Sequence, residues 1–327
     1  MHTPGQDSAV LETPPLGLNA WRTAIAETVV PLSISEYDGR PFLGRFRRTS
    51  VGEVGLFEMQ TTAHTVRRTP ELITAEQPVF YKMSLQLEGR AELQQDGRTA
   101  VLSPGDIAVY DTHRPYTLSF PEPSRAMIMI FPQAMVELSP HELSRLTAVR
   151  FCAEEGLARM ISPFFTELIQ NLDQLSGGYG SRLVHSALDL MVTMLSKELH
   201  RQDHSGHGSA HRLSWQIRQY ILRNLSDESL TPSTIATAHF ISVRYLYTLF
   251  AEEEHTVSAW IRSQRLAHIR RDLTDPLLAD RPVSWIAGRW GLHDAAHFSR
   301  LFKSEHGVSP SAYRRKHLQE QPHLVAA

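Results

Sequence analysis

Cysteine is nearly absent from this chain: Cys152 stands alone in 327 residues. That excludes an intramolecular disulfide and a multi-cysteine zinc site, and it fits a reducing cytoplasm. No apolar run approaches the roughly 20 residues needed to cross a bilayer. The start MHTPGQDSAVLETPPLG has no basic segment followed by an apolar stretch, so neither a secretory leader nor a membrane partner is expected. Charge of one sign is missing too. Lys+Arg number 33 against 35 Asp+Glu, a net of −2, which for the whole chain argues against nucleic acid as a partner. What is present is ordinary globular composition, 42% hydrophobic and 21% charged, in a length that suits two domains.

Divided along the chain, the charge is uneven. Residues 1–210 hold 18 Lys+Arg and 24 Asp+Glu, a net of −6, whereas residues 211–318 hold 15 and 10, a net of +5. The divide falls at DHSGHGSAH, residues 203–211, which reads as a flexible linker. His204, His207 and His211 are taken as solvated linker residues rather than metal ligands. An acidic part is thus tethered to a basic part of about a hundred residues, a common footprint of nucleic-acid binding. The expected divisions are an arm and lead-in at 1–39, a first domain at 40–202, the linker at 203–211, a second domain at 212–318 and a tail at 319–327.

The basic part reads as all-helical. Leu213, Ile217, Tyr220, Ile221 and Leu225 recur at helical steps. Thr231 suits an N-cap and Pro232 the first helical position, with Ile235 and Ala236 as a buried pair. Ser242 caps a second short helix with Leu246, Leu249 and Phe250 inward, completing a helix-turn-helix. The pattern then repeats. Ile286 and Ala287 follow Ile235 and Ala236 at a spacing of 51, and Phe302 follows Phe250 at 52. Gly291 can supply positive φ in the second turn, Asp294 caps the next helix, and Gly307 ends it. Between the units, residues 258–273 read as a spacer helix with Trp260, Ile261, Leu266, Ile269 and Leu273 inward. Repetition with caps, turn and apolar stripe in register argues for two helix-turn-helix units rather than an unrelated bundle.

The residues IA-x3-GL-x-D-x2-HFSRLFKSEHGVSPSAYR resemble the second helix-turn-helix of the AraC/XylS family of bacterial transcription regulators, and TPSTIATAHFISVRYLYTLF resembles the first. The resemblance covers about residues 213–317. It implies two recognition helices entering successive major grooves of double-stranded DNA. By position, the base-facing candidates are Ser242, Arg244, Tyr247 and Thr248 in the first unit, and Ala295, Ala296, His297, Ser299 and Arg300 in the second. Arg300 suits a bidentate contact to guanine, while Lys303, Arg314, Arg315 and Lys316 suit phosphates. Phe240 and His255 stand where the family has Gly, so the first unit is expected to turn differently. Leu292 replaces a common Phe, a mild core exchange.

Residues 40–132 read as short strands between turns such as Asp96-Gly97 and Pro104-Gly105-Asp106. In VFYKMSLQL, Val79, Tyr81, Met83, Leu85 and Leu87 alternate with Phe80, Lys82, Ser84 and Gln86, which places the apolar set inside a small barrel or sandwich. The segments LSPGD and DTHRPYTL resemble cupins, and the wider stretch from RRTPELI to DTHRPY resembles the AraC-binding-like sensor domain of the same regulators. The expected fold is therefore α+β and multidomain: an N-terminal cupin-like β-barrel with flanking helices, then an all-α domain with two helix-turn-helix units joined by a linker helix.

A metal-dependent cupin enzyme needs clustered histidines and a carboxylate. Residues 40–132 hold only His64 and His113, so no metal, cofactor or catalytic set is expected. The candidate lining of an effector pocket is Arg45, Arg47, Tyr81, Met83, Tyr110, His113 and Tyr116, and an inward Arg would suit a carboxylate. Helices at about 154–175 and 180–202 carry more apolar residues than flanking a barrel needs, which suits a homodimer face. The expectation is a cytoplasmic, non-enzymatic activator that binds DNA and RNA polymerase and responds to a small organic effector. By resemblance, that effector is an aromatic acid or amine. The alternatives are an effector-independent regulator with a structural barrel, and a cupin-type enzyme fused to a DNA-binding domain.

Overall fold

The computed structural model describes residues 10–28, 30–74, 77–136, 138–175, 177–204, 209–250 and 256–319. The chain divides into two compact units, Met1–Glu198 and Leu199–Ala327. His207, His255 and the tail from 320 lie outside the described residues, and the expected linker does so in part.

The first unit opens with β1 (Leu11–Glu12), β2 (Leu16–Gly17), helix α1 (Leu18–Thr28) and β3 (Ser33–Glu36). Then come β4 (Leu43–Val51), β5 (Val54–Thr61), β6 (His64–Arg68), β7 (Phe80–Glu88), β8 (Ala91–Gln95) and β9 (Arg98–Leu102). β10 (Ile107–Asp111), β11 (Tyr116–Phe120) and β12 (Ser124–Pro132) complete the strands. One antiparallel sheet runs β1-β4-β5-β12-β7-β10, with β2 also on β4, and the other runs β3-β6-β11-β8-β9. The expected barrel is therefore corrected: the two sheets face each other as an open sandwich. Helix α1 packs against β2, β3 and β4 and so spans the seam between the sheets, covering edges that strand pairing would otherwise have to close. The described residues from 10 onward of the segment expected as an arm build this part of the domain, with Trp21 and Ile25 buried in its core.

Three helices follow: α2 (Pro140–Ser144), α3 (Ala158–Gln170) and α4 (Gly177–His204). Ser139 and Glu142 cap α2 reciprocally. Pro163 sits inside α3, which packs on β7 and β5. That packing decides which way β7 faces. Its apolar residues Tyr81, Met83 and Leu85 are buried on the face that α3 covers, while Lys82, Ser84 and Gln86, also buried, point between the sheets. Both faces of a central strand are covered here, so apolar alternation does not identify the sandwich interior.

The second unit is helical: α5 (Ser209–Arg223), α6 (Pro232–Ala238), α7 (Val243–Leu249), α8 (Val257–Thr274), α9 (Val283–Arg289), α10 (Ala295–His306) and α11 (Pro310–Gln319). The N-terminal half of α8 gives Val257, Trp260 and Ile261 to one core with Ile217, Ile221, Ile235, Leu246 and Phe250. Its C-terminal half gives Leu266, Ile269 and Leu273 to another, with Ile286, Ala287, Phe298 and Phe302. One rigid helix thus belongs to both halves.

Candidate nucleic-acid interface and inter-sheet cavity

The two helix-turn-helix units are α6–α7 and α9–α10. Thr231 caps α6 in a capping box with Thr234, and Ser242 caps α7 by accepting from the Tyr245 N–H. Asp294 caps α10 by accepting from the N–H groups of Ala296 and His297, both at 2.9 Å. The N–H donors of that helix end hold the Asp294 carboxyl below its usual range, the His297 N–H first. Gly307 closes α10 in the left-handed region.

Both turns have one geometry. Phe240 and Gly291 have φ of +56° and +71°. The N–H groups of Ile241 and Leu292 donate to the carbonyls of Ala236 and Ala287, each at 3.0 Å. The first unit therefore turns like the second, contrary to expectation, with a phenylalanine in the left-handed position. The ring is 97% exposed, and the buried Ile235 and Leu246 hold the turn by packing on either side of it.

The two helix-turn-helix units are tied by Arg265 on α8. Its Nε donates to the Leu225 carbonyl at 2.9 Å and its Nη2 to the Asp227 carbonyl at 2.5 Å. Nη1 reaches the Gly291 carbonyl at 3.5 Å. On the next turns of α8, Asp272 accepts from the Trp290 indole N–H at 2.8 Å and His268 stacks on the same indole at 4.2 Å. Arg218 lies over Phe250 and Trp260, at 4.8 and 5.2 Å from the ring centres.

All the base-facing candidates, Ser242, Arg244, Tyr247, Thr248, Ala295, Ala296, His297, Ser299 and Arg300, are exposed, as is Lys303. The hydroxyls of Thr248 and Ser299 donate back to the carbonyls of Arg244 and Ala295. Arg315 and Lys316 are exposed as well, whereas Arg314 is half-buried and donates to the Arg281 carbonyl at 2.5 Å. Sequence reading passed over Trp285, an exposed residue of α9 with Arg281 and Arg289 over its ring at 5.1 and 5.4 Å. On α9 the sequence pattern marks only the buried pair Ile286 and Ala287, so this outward cluster left no signal.

In the first unit a cavity lies between the sheets, lined by side chains that include Trp21, Met59, His64, Lys82, Tyr110, Tyr116 and Phe120. Its volume is about 50 Å³, enough for a few waters. Of the seven expected lining residues, Tyr110 and Tyr116 are here. Arg45 and Arg47 lie on the other face of β4, bonded to Gln60 and to Glu58 and Asp173. Tyr81 and Met83 face α3, and His113 sits in the turn between β10 and β11. Sequence reading missed Lys82 and Trp21: the first was assigned to the outer face and the second to the arm.

Lys82 is 3% exposed, and its Nζ donates to Tyr116 Oη at 3.0 Å across the gap. Tyr110 Oη and Ser84 Oγ bond at 3.1 Å. Burial pushes the Lys82 ammonium down to about 7, helped by the nearby Arg68 charge, and pushes Tyr110 up to about 12. Burial also pulls His64 down to about 4; its ring stacks on Phe120 at 4.5 Å and its Nδ1 donates to the Thr62 carbonyl. Among the described residues no group of three His, Cys, Asp or Glu is placed to hold a metal, and no helix is long and apolar enough to cross a membrane.

Residues 21–196 match the family model of the AraC-binding-like domain, and residues 235–316 match a helix-turn-helix domain. The transcriptional activator NphR of Rhodococcus sp. is 30% identical over 285 residues, 86% of this chain and 81% of that protein. The arabinose operon regulatory protein of Escherichia coli is 23% identical, over 72% of this chain and 80% of its own length. The solved AraC-like transcriptional activator CuxR is 19% identical, with a TM-score of 0.49 over 83% of this chain and 94% of that one. An AraC-binding-like domain joined to two helix-turn-helix units makes this chain a member of the AraC family of DNA-binding transcription regulators.

Proposed function

We propose that the protein is a transcriptional activator whose first unit binds a small organic effector and whose second unit reads an operator. The duplicated helix-turn-helix with its base-facing candidates exposed on both recognition helices carries this reading. Its similarity to activators such as NphR supports the sign of the response, and activation implies RNA polymerase as a partner. Arg300 reads guanine, and Lys303, Arg315 and Lys316 hold phosphates.

A homodimer would present two such units. The exposed apolar residues Tyr179, Leu183 and Leu190 of α4 support that arrangement, because steps of four and seven put them on one helix face. Sedimentation of the full chain checks it: a monomer at high micromolar concentration removes the dimer.

The DNA reading is tested by operator titrations with single-base variants at several salt concentrations. Arg300→Ala should lower affinity by about 1–3 kcal/mol and relax preference at one base position. Lys303→Ala should weaken all sequences alike and reduce the salt slope by about one. An equal loss on every operator variant for Arg300→Ala would mean that Arg300 does not read a base.

A further inference from the structure

We infer that Phe240 is an operator contact: its ring, with Val243 and Tyr247, gives the first reading head an apolar edge that takes the methyl group of a thymine. The inference deepens the DNA reading above and rests on it.

The two helix-turn-helix turns share a backbone and differ in what surrounds it. A Cβ at Gly291 would come within 2.9 Å of Arg265 Nη2 and 3.3 Å of the Leu225 carbonyl, so that turn is closed from inside the protein and glycine fits it. Phe240 has the same left-handed conformation, with φ of +56°, but its side chain is 97% exposed. The ring therefore fills no internal gap. Glycine or asparagine would hold the same turn with less strain. A strained residue that displays its side chain to solvent points to a partner outside the fold.

The ring has apolar company. Val243, Tyr245 and Tyr247 are exposed too, and no other eight-residue stretch of the described residues exposes as many large apolar side chains. An exposed cluster of this kind marks a contact surface. Leu246 and Phe250 commit one side of α7 to the core. Val243 and Tyr247, four residues apart, share one flank of what remains.

Continuity with the recognition helix identifies the partner as DNA. Phe240 stands two residues ahead of the Ser242 cap, at the end of the helix that enters the major groove. Residues 231–250 contain no Asp or Glu, so no carboxylate in this stretch repels phosphates. The same stretch has one Lys or Arg, Arg244, and its short hydroxyls are turned inward on the helix. Ser242 accepts from the Tyr245 N–H, and Thr248 donates to the Arg244 carbonyl. Few groups are left to hydrogen-bond a base edge. Apolar and aromatic side chains in the major groove meet one base feature without hydrogen bonds, the thymine C5 methyl. The first unit thus reads methyl groups where the second, with Arg300, reads hydrogen-bonding edges.

The test uses the full chain and, as probe, the tightest duplex it selects from a random-sequence pool. Each thymine is replaced in turn by deoxyuridine, which removes the methyl and nothing else. At one thymine the replacement should weaken wild type about fourfold and leave Phe240→Gly and Phe240→Asn unaffected. On the unmodified duplex both variants should bind about four- to tenfold more weakly than wild type. Their salt slope should be unchanged, because no phosphate contact is lost. Both should resist urea at least as well as wild type, a result that a structural role for the ring would reverse. Unchanged affinity in both variants overturns the thymine contact and leaves the DNA reading standing; if they also lose transcription with RNA polymerase, the ring meets protein instead. Weakening that couples to no single thymine overturns it equally. Selection of no duplex by the full chain overturns both readings.

Discussion

Phe240 and Gly291 occupy the same left-handed turn position 51 residues apart in the two helix-turn-helix units, with φ of +56° and +71°. The backbone conformation is dictated by the packing of Ile235 and Leu246 in one unit and Ile286 and Phe298 in the other. The residue at the turn has to follow. Glycine follows without a Cβ penalty, and phenylalanine does not.

Phe240→Gly should therefore relieve backbone strain. The side chain is exposed, so little packing is lost, and the strain relieved is ~1 kcal/mol. The added freedom of glycine in the unfolded chain offsets part of it. A net gain of a few tenths of a kcal/mol by urea denaturation of the full chain is expected. A loss of stability would show that the Phe240 ring makes a contact worth more than the strain.

Gly291→Ala should act in the opposite direction and more strongly. A Cβ there would come within 2.9 Å of Arg265 Nη2 and 3.3 Å of the Leu225 carbonyl, as well as sitting at positive φ. A loss of about 2 kcal/mol is expected. Operator affinity should fall in parallel, because the displaced guanidinium is the tie between the units.

Arg265→Met keeps the aliphatic stem and removes that tie. The carbonyls of Leu225 and Asp227 lose a charged donor, and Leu225 lies in a buried core. The expected cost is about 1–3 kcal/mol. Hydrogen exchange should rise in the chain around 225–227 and around Gly291 together; a rise in one alone would mean that Arg265 does not couple them.

Lys82→Met should stabilise the ligand-free protein in a pH-dependent way. The folded pKa near 7 is below the ordinary value of 10.5, so between these pH values the unfolded chain binds a proton that the folded chain does not. Wild-type stability therefore falls as pH drops from about 10.5 to 7 and then levels. The methionine variant lacks this term. Its advantage should grow over that window to a few kcal/mol at pH 7, reduced by the partner lost to Tyr116.

His64 predicts an acid limb of the same sign. It is neutral in the fold, with a pKa near 4 against an ordinary 6.5. Stability should fall between pH 6.5 and 4 and level below, by up to ~3 kcal/mol. Thermal melts of His64→Gln should be flatter across that window after correction for the loss of the Phe120 stack.

Much of the second unit was readable because its signals are local. Caps at Thr231, Ser242 and Asp294, the Gly307 stop and the repeated Ile-Ala pair each depend on residues within one or two turns. The charge split at the linker needed only the order of residues. What packs on a given side of a strand is a different kind of fact. Tyr81 and Met83 looked like the sandwich interior because they are apolar, and Lys82 looked like surface because it is charged. Once α3 covers one face of β7 and the second sheet covers the other, both sets are buried, and alternation no longer says which side holds the cavity. Only the tertiary structure, by bringing Lys82 opposite Tyr116 and Arg68 behind it from strands distant in sequence, decided where the charged cavity lies. The sequence determined the family, the two-part organisation and the duplicated reading heads, because periodicity, capping and charge act over short stretches of chain. Long-range packing determined the cavity, because burial depends on what covers a strand rather than on the strand itself.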